Sequence, residues 1–477
     1  MYDAGSTRVR VASASTSISY SVTSTEGAKL RSGSLAVQNG AASLDLTTLG
    51  PGYYTVSVSS PNGSASTGVG VVAGLSRTPT ASPFGTSQHP AYHSGPDATA
   101  ADAMLGFRTV RIDWSWENMA TAGSTYNWDA KGSAEITRLK ARGIKPVLVL
   151  AYHGLCDGGR TPSSAQCIKQ YADFVLATAR KFGSTVDYAV YNEFNAPTTN
   201  GTCGRTADCY MQLLKPASQA IRSAAPGARV LGPALGAIDD WWAVGGDAYL
   251  WFQRFVKLGG HNFVDVITIH NYSLASAPEG HGELAMANAK AVLKAAGSTK
   301  DVVMEETGYA TPRGGLPENV QAVFHVRDAA AVLAAGAKTY MPYTLVDDWN
   351  APTDPQSNFG LFRHEDANGG RLVPKPAAVS QAVMARMLNG ARFVKSEALG
   401  AGTRSMVFRM ADSRTVRIIW TTDQLRSLVL NGAGTVAATD IYGRTVQPSV
   451  AGTATYYTIG GFPIFITSTT QGTATQG

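Results

Sequence analysis

The sequence predicts an α/β protein: a (β/α)8 TIM barrel flanked by N-terminal and C-terminal antiparallel β-sandwich domains. Three observations carry this prediction. Polar and apolar residues alternate with a period of two over residues 1–76, between turn signals such as PNG. Eight short apolar runs alternate with helical stretches over residues 84–388. The period-two pattern then returns over residues 391–468.

Length and composition agree with about three folded units. The chain has 477 residues, which is too long for one ordinary domain. Hydrophobic residues make up 44% and charged residues 16%, with 50 glycines, as is typical of a globular protein rich in β-structure and turns. The net charge of +6 is spread without a basic cluster, so no nucleic-acid partner is expected. No apolar run reaches the length of a membrane span.

The two sandwiches are predicted from segments in which every second residue is apolar. The N-terminal one contains SISYSVTST, LDLTTL and YYTVSVSS. The C-terminal one contains SMVFRMA, TVRIIWTT, SLVLNG, TYYTIGG and FPIFITS. The polar segment 469–477 follows and is predicted to be a disordered tail.

The central barrel is predicted from eight strand-like runs separated by helical segments such as AEITRLKARG and NVQAVFHVRDAAAVLAAG. The runs are FGTSQH, TVRIDW, KPVLVLAY, VDYAVYNE, ARVLGP, VDVITIHNY, DVVMEE and AKTYMPYTL. Eight such units favour a closed barrel. A doubly wound open sheet is the structural alternative, but it usually carries a Gly-rich first turn, and FGTSQHPAYH is not one.

The four cysteines form two close pairs, Cys156 with Cys167 and Cys203 with Cys209, in loops rich in Gly, Thr and Asp. This spacing predicts two disulfides and lacks the CxxC or His pattern of a zinc site. Disulfides indicate an oxidising compartment, so the protein is predicted to be secreted or periplasmic. No charged and apolar signal opens the chain, and Met1 is interpreted as the start that remains after signal removal.

Chemistry in a barrel of this type takes place at the C-terminal ends of the strands. The fourth predicted strand ends in Asn192 and Glu193, and the seventh ends in Glu305 and Glu306. Carboxylates on strands four and seven face each other across a small barrel, which is the arrangement that glycoside hydrolysis needs. Other polar and aromatic residues at the strand ends are candidates for substrate binding: Arg111, Trp114, Trp116, His153, His270, Tyr272, Tyr343 and Trp349.

The two carboxyls need different environments, because one must protonate the leaving oxygen while the other attacks the anomeric carbon. Arg111 and Tyr272 would favour a charged nucleophile, and Asn192 can bond to a sugar hydroxyl beside the reacting carbon. Asn192 and Glu193 are adjacent, so both reach one site only if the strand is distorted there, and we predict such a distortion. Further rings for sugar stacking could come from Trp241, Trp242 and Trp251.

The segment 84–388 resembles the clan A glycoside hydrolases. YNEFN matches the clan's Asn-Glu motif on strand four, and EETGY matches its nucleophile motif on strand seven. The match implies that Glu193 is the acid/base and that Glu306, not the residue before it, is the nucleophile. Strand parity agrees, because Val302, Met304 and Glu306 share one face. RIDWSW, STYNWDAKG, VDVITIHNY and the NFGLFR and PKPAA segments resemble glycoside hydrolase family 39 and the biofilm-exopolysaccharide hydrolases.

The resemblance also implies roles for the residues around the two carboxylates. Arg111 and Tyr272 would hold the nucleophile. The subsite of the reacting sugar would be lined by His153, Asn192 and His270.

The end of strand eight departs from the clan. Its members generally carry a Trp there, under the reacting sugar, whereas this chain has Pro342 and Tyr343, with Trp349 several residues later. Which of the two aromatic residues forms the sugar platform stays open. His89 and His93 resemble a metal pair only by spacing, so no metal is expected.

Ordinary structural explanations stay open for several of these residues. Arg111 could simply pair with Asp113 inside the barrel. His153 and His270 could be core histidines with satisfied hydrogen bonds. A lid or an interdomain contact is the alternative role for Trp241 and Trp242.

Taken together, these features predict a retaining β-glycosidase that is a monomer, needs no cofactor and acts on a polysaccharide or oligosaccharide. Glu306 would attack the anomeric carbon, and Glu193 would protonate the departing oxygen and then activate water. Several Trp residues favour endo cleavage of a polymer. Exo action like that of a β-xylosidase is the nearest alternative, and a non-catalytic carbohydrate-binding or adhesion protein on a dead barrel is the third. Xylan, β-glucan, a galactosaminoglycan and a bacterial exopolysaccharide all remain open as substrates.

Overall fold

A parallel eight-stranded sheet lies between two groups of antiparallel strands in the computed structural model of the chain. The structure describes residues 1–93, 95, 97–122, 125–128, 132–197, 201–452 and 454–476. Part of the STYNWDAKG stretch falls outside them. No helix among the described residues has the length and apolar character needed to cross a membrane.

The N-terminal strands form a five-stranded sheet, ordered β1-β7-β6-β3-β4, and a two-stranded sheet of β2 and β5. All pairs are antiparallel except β1 with β7. Val22, Leu44, Val56 and Val71 pack together between the sheets, as the period-two pattern predicts. The strands are β1 (Tyr2–Asp3), β2 (Arg8–Ala12), β3 (Ser17–Ser24), β4 (Lys29–Ala36), β5 (Ala41–Asp45), β6 (Gly52–Ser60) and β7 (Gly63–Val72).

The central strands form the predicted barrel. Eight strands pair in parallel in the order β8-β9-β12-β13-β14-β15-β16-β17, and a parallel bridge from Phe84 to Tyr340 brings the two edges together. Two short hairpins, β10 with β11 and β18 with β19, lie outside this sheet. The strands are β8 (Gly85–Gln88), β9 (Thr109–Ser115), β10 (Ala120–Ala122), β11 (Thr125–Tyr126), β12 (Lys145–Ala151), β13 (Asp187–Val190), β14 (Val230–Leu235), β15 (Val266–His270), β16 (Asp301–Thr307), β17 (Tyr340–Pro342), β18 (Phe362–Arg363) and β19 (Val373–Pro374).

Helices follow the barrel strands and cover the sheet from outside, because alternate strand residues must be buried on both faces. Val147, Val149 and Ala151 of β12 pack inside the barrel, whereas Leu148 and Leu150 pack against the helices. The helices are α1 (Ala98–Leu105), α2 (Trp116–Met119), α3 (Ser133–Ala141), α4 (Ala165–Phe182), α5 (Ala207–Ala224), α6 (Asp247–Lys257), α7 (His281–Ala295), α8 (Glu318–Ala334) and α9 (Pro376–Met387).

The C-terminal strands form a five-stranded sheet, β20-β21-β22-β27-β24, and a four-stranded sheet, β25-β26-β23-β28. One hydrophobic core runs from Tyr53 and Leu75 of the N-terminal part through the barrel to Trp420 and Phe465. The strands are β20 (Arg392–Ser396), β21 (Thr403–Arg409), β22 (Thr415–Thr421), β23 (Arg426–Asn431), β24 (Val436–Asp440), β25 (Ser449–Ala451), β26 (Ala454–Ile459), β27 (Ile464–Ser468) and β28 (Thr473–Gln476).

The last strand corrects the prediction of a disordered tail at 469–477. Residues 473–476 pair antiparallel with β23, and Ala474 packs against the core between the two sheets. The edge of β23 offers unpaired backbone groups, and these stabilise even a polar segment as a strand. Gly477 lies outside the described residues.

Both predicted disulfides are confirmed. Cys156–Cys167 joins the loop after β12 to the first turn of α4, and Cys203–Cys209 joins the loop after β13 to the first turn of α5. The N-caps match as well, since the hydroxyls of Ser164 and Thr206 accept the backbone N–H of Cys167 and Cys209. Two neighbouring loops at the C-terminal mouth of the barrel are therefore tied to the helices that follow them.

A buried carboxyl ties α8 to the strands beside it. The hydroxyls of Thr307 on β16 and Tyr340 on β17 donate to one oxygen of Asp328, at 3.0 and 3.1 Å. Burial raises the pKa of Asp328 to about 7, although both hydrogen bonds oppose the shift. Asp328 therefore holds a proton in the folded state at pH values where it would be ionised in the unfolded chain.

We expect Asp328 to make the free energy of unfolding fall as pH rises from about 4 to 7, because the native state binds the extra proton in that window. The slope from this residue reaches at most about 1.4 kcal/mol per pH unit. In Asp328→Asn that contribution disappears, which urea unfolding at pH 5 and pH 7 measures. The matched control is Asp301→Asn, since Asp301 is exposed at the start of β16. Equal slopes for wild type and Asp328→Asn would contradict this account.

Candidate active site

A cavity of about 470 Å³ opens at the C-terminal ends of the barrel strands. Its walls come from strands β9 and β16 and from the segments after β8, β12, β13, β14, β15 and β17. Seven of the residues predicted for the site line it: Arg111, Asn192, Glu193, Tyr272, Glu306, Tyr343 and Trp349.

Glu306 is held by two donors, one on each carboxylate oxygen. The guanidinium of Arg111 donates to one carboxylate oxygen, and the hydroxyl of Tyr272 donates to the other at 2.8 Å. A cation and a hydroxyl both stabilise a negative charge on the carboxylate. Glu306 therefore has the surroundings that a carboxylate nucleophile needs.

Glu193 reaches the cavity through an irregular strand end, which confirms the predicted distortion. Strand β13 ends at Val190, and Tyr191 and Glu193 both adopt positive φ, 65° and 42°. Residues other than glycine rarely adopt this backbone conformation. Here it lets the adjacent residues Asn192 and Glu193 face one cavity. The absence of a side chain at Gly236 provides the space for Glu193, because a Cβ at this position would lie 2.7 Å from the carboxyl carbon of Glu193.

A bulge decides which of the two neighbouring glutamates enters the cavity. Ile269 of β15 pairs with Met304, and the next residue of β15 already pairs with Glu306, so Glu305 is the extra residue of β16. Val302 and Met304 face the helices, which makes the parity argument from sequence wrong. Glu306 enters the cavity because the bulge resets the alternation, and Glu305 is buried beneath it, 1% exposed.

His270 sits under the two cavity carboxylates and connects them with Glu305. Its Nδ1 lies 2.8 Å from Glu193 and 3.5 Å from Glu306, and its Nε2 lies 3.5 Å from Glu305. Burial alone would lower the pKa of His270, but the surrounding carboxylates raise it to about 10. Burial alone would raise the pKa of Glu193, but the hydrogen bond from His270 and the charge of Arg111 lower it.

The two carboxylates of the cavity lie close together. One oxygen of Glu193, one oxygen of Glu306 and a ring nitrogen of His270 all lie within 4.8 Å of one another. The C-terminal mouth of the barrel therefore carries a compact pair of acids with one histidine between them.

Tyr152, and not His153, faces the site from β12. The amide of Asn192 donates to the Tyr152 hydroxyl at 3.0 Å, and its oxygen accepts from Arg111. His153 is not among the cavity-lining residues, so its predicted place is wrong. Strand β12 ends at Ala151, and the alternation that would aim His153 inward does not continue beyond that end.

Trp114 and Trp116 belong to the core, which corrects their prediction as sugar-binding residues. Trp114 is fully buried against Phe182, and Trp116 stacks on Phe174 of α4. The cause is alternation on β9: Arg111 faces the interior, so Trp114 faces the helices. Two further rings lie outside the cavity: Trp242 is buried, and Trp251 is partly buried against the core.

Exposed rings at the cavity come from three segments, since Tyr92 after β8 is 43% exposed. Trp349, after β17, is 41% exposed and lies 4.5 Å from the ring of Tyr92, while Trp241, after β14, is 40% exposed. Tyr343 lies deeper and packs against Tyr272 and Phe359. The structure thus brings Tyr343 and Trp349 to the same cavity.

Three polar residues that the sequence analysis did not assign to the site complete the cavity wall. His89, Asp113 and Gln356 line the cavity, and the buried carboxylate of Asp348 binds His89 Nδ1 at 2.8 Å. The Tyr343 hydroxyl donates to the second oxygen of Asp348 at 3.0 Å. Asp113 had a signal, since it lies two residues after Arg111 on the same strand face.

Two sets of described residues bring three potential metal ligands together: Glu193, His270 and Glu306, and His93, His364 and Glu365. The first is the acid pair with its histidine. In the second, His93 Nδ1 lies 3.1 Å from Glu365, and His364 Nδ1 accepts the backbone N–H of Asp366 at 3.2 Å. Hydrogen bonds account for both arrangements.

Comparisons with known proteins point to one class of enzyme. The family model "Cellulase (glycosyl hydrolase family 5)" matches residues 76–311. A family 39 glycoside hydrolase from the gut symbiont Bacteroides cellulosilyticus has a similar structure, with a TM-score of 0.77, 18% identity and 98% of each chain covered. No curated protein matches the sequence.

Two further structures share the fold at lower similarity. The catalytic domain of the family 30 xylanase C from Talaromyces cellulolyticus has a TM-score of 0.56 at 14% identity, covering 82% of this chain and 98% of its own. A Paenibacillus polymyxa xyloglucanase of family 44 has a TM-score of 0.51 at 14% identity, covering 82% and 97%. The family match assigns residues 76–311 to the glycoside hydrolases, enzymes that cleave O-glycosidic bonds, and the similar structures show that the chain shares the fold of such enzymes.

Proposed function

We propose that the protein is a retaining β-glycosidase that cleaves a polysaccharide internally and acts outside the cytoplasm. Glu306 is the nucleophile and Glu193 the acid/base. The observation that carries the proposal is the short distance, within 4.8 Å, between one oxygen of each carboxylate. Retaining enzymes hold the two carboxyls about 5–5.5 Å apart, whereas inverting enzymes need about 6.5–9.5 Å to seat a water.

The surroundings of the two acids support different roles. Glu306 accepts hydrogen bonds from Arg111 and Tyr272, which fix its carboxylate for attack on the anomeric carbon. Glu193 is hydrogen-bonded to His270 Nδ1. A sugar that covers Glu193 removes water from it, which favours the protonated carboxyl. Glu193 then gives its proton to the departing oxygen and later accepts one from the water that releases the sugar.

Internal cleavage is supported by two exposed Trp rings at the rim of the cavity. Trp241 and Trp349 stand in loops after β14 and β17, three strands apart around the barrel, and offer exposed ring faces to successive sugars. The similar structures include a xylanase and a xyloglucanase. The two disulfides support a secreted or periplasmic location.

Glu193→Gln and Glu306→Gln should each lower kcat/KM by about three decades or more, because each removes the proton donor or the nucleophile. The wild type is first tested on xylan, β-glucan, galactosaminoglycan and bacterial exopolysaccharide. The control is Glu26→Gln, which loses an ion pair between the N-terminal part and Arg444 of the C-terminal part, away from the cavity. Turnover unchanged by both active-site variants would remove the assignment.

Retention should appear in the first product. We expect NMR to detect the β-anomer before mutarotation, and methanol to trap a methyl β-glycoside, because a covalent sugar ester on Glu306 is opened from the same face. An α-anomer as first product would show inversion. Viscosity of the polymer should fall before monosaccharide is released, and the reverse order would favour exo action.

Trp349→Ala should raise KM for the polymer about tenfold, since it removes an exposed stacking face worth of order 1 kcal/mol. Trp114→Phe should instead lower the melting temperature and leave KM unchanged, because Trp114 is buried outside the cavity. Kinetics of both variants at matched folded fractions test this. A KM change for Trp114→Phe alone would reverse the assignment.

A further inference from the structure

Asp113 stands in the cavity wall without a hydrogen bond. One of its oxygens is buried and has no hydrogen-bond partner, and the side chain is 23% exposed to the cavity. The nearest cations are Arg111 Nη1 at 3.7 Å and His89 Nε2 at 3.9 Å. Both distances exceed a hydrogen bond. A carboxylate in this position costs free energy unless a donor arrives.

His89 is fixed so that its second nitrogen faces Asp113. The Asp348 carboxylate binds His89 Nδ1 at 2.8 Å, and Asp348 is itself held by the Tyr343 hydroxyl. Burial alone would lower the pKa of His89, but the hydrogen bond to Asp348 and the charge of Asp113 raise it. The raised pKa favours the imidazolium form, in which Nε2–H is a donor 3.9 Å from an Asp113 oxygen.

Asp113 and His89 lie on the Glu306 side of the cavity, where the sugar that becomes attached to Glu306 would be bound. Arg111 Nη1 binds Glu306 and also lies 3.7 Å from Asp113, so Asp113 is on the Glu306 side of the cavity. Glu193 lies towards Gly236 and the β14 loop. The leaving group departs past Glu193, and the sugar that stays on Glu306 therefore lies next to Asp113.

We propose that Asp113 and His89 together bind one free hydroxyl of the sugar that becomes attached to Glu306. The hydroxyl donates to the Asp113 carboxylate and accepts the N–H of His89. This inference rests on the proposed function and names the substrate class of the same site: a neutral sugar that is unsubstituted at this hydroxyl.

The chemistry of the pair excludes the two charged classes of sugar. A hydroxyl both donates and accepts, whereas an ammonium cannot accept from His89 and a carboxylate cannot donate to Asp113. Among the described residues that line the cavity, Arg111 is the only lysine or arginine, and it already binds Glu306 and Asn192. A uronate could accept from His89 but would bring its negative charge against the Asp113 carboxylate, while Arg111 already binds Glu306 and Asn192.

The test uses aryl β-glycosides of the shortest oligosaccharide that the wild type cleaves, with each hydroxyl of the sugar next to the aryl group removed in turn. In the wild type one deoxy compound should lose at least about tenfold in kcat/KM, because it leaves Asp113 and His89 unpaired. In Asp113→Ala the parent should lose a similar factor, and that deoxy compound should lose no more. A purely structural role of Asp113 would not produce this match to one hydroxyl.

Asp113→Asn serves as the milder variant if the alanine variant folds poorly, and its melting temperature is compared with wild type. Asp173→Asn is the control, since Asp173 pairs with Lys169 on the exposed face of α4. Equal losses for every deoxy compound in wild type and variant would overturn the Asp113 site alone. A wild type that cleaves no polymer would overturn the proposed function and this site with it.

Discussion

The buried charge of Arg111 is the constraint on which the barrel mouth depends. Its guanidinium is 1% exposed, and a cation that far from water must be paired. Its partners are Glu306 and Asn192 by hydrogen bond, with Glu305 and Asp113 at 3.7 Å. Burial alone would lower the pKa of Arg111, but these carboxylates raise it. One cation thus orients side chains from three strands.

That arrangement also explains why the site tolerates so many acids. Glu305 is fully inside the barrel, where burial alone would raise its pKa, yet His270 and Arg111 lower it. Glu193, Glu305 and Glu306 therefore surround two cations within a few ångströms. Local charges are balanced group by group, so the mild positive charge of the whole chain says little about the substrate.

Sequence reasoning reached the barrel and the acid pair because both leave local marks. Apolar runs separated by helical segments predict parallel strands, and a polar residue at the end of such a run stands out at the barrel mouth. Arg111 and Glu193 were identifiable in this way, whereas the choice of Glu306 over Glu305 came from the resemblance of EETGY to the clan's motif. The two disulfides followed from short spacings in loops. Each of these features depends on only a few neighbouring residues.

The errors in assigning site residues came where the alternation of inward and outward side chains along a strand breaks, or where the inward face was not known. The bulge at Glu305 reverses the parity of β16, and the end of β12 at Ala151 brings Tyr152 into the site instead of His153. Trp114 was misassigned because the sequence does not tell which face of β9 is inside. Strand β28 in the tail was missed because it forms by hydrogen bonding to β23, and its own sequence has no apolar pattern.

The continuous core from Tyr53 to Phe465 has a consequence for how the chain can be divided. Apolar side chains of both flanking sheets pack against the outside of the barrel, and Glu26 and Arg444 join the two flanks directly at 2.6 Å. A barrel excised at its first and last strands would present bare apolar surface to water, which invites self-association. The flanking sheets thus serve as a wrapping for the catalytic core, and trimming them changes solubility before it changes chemistry.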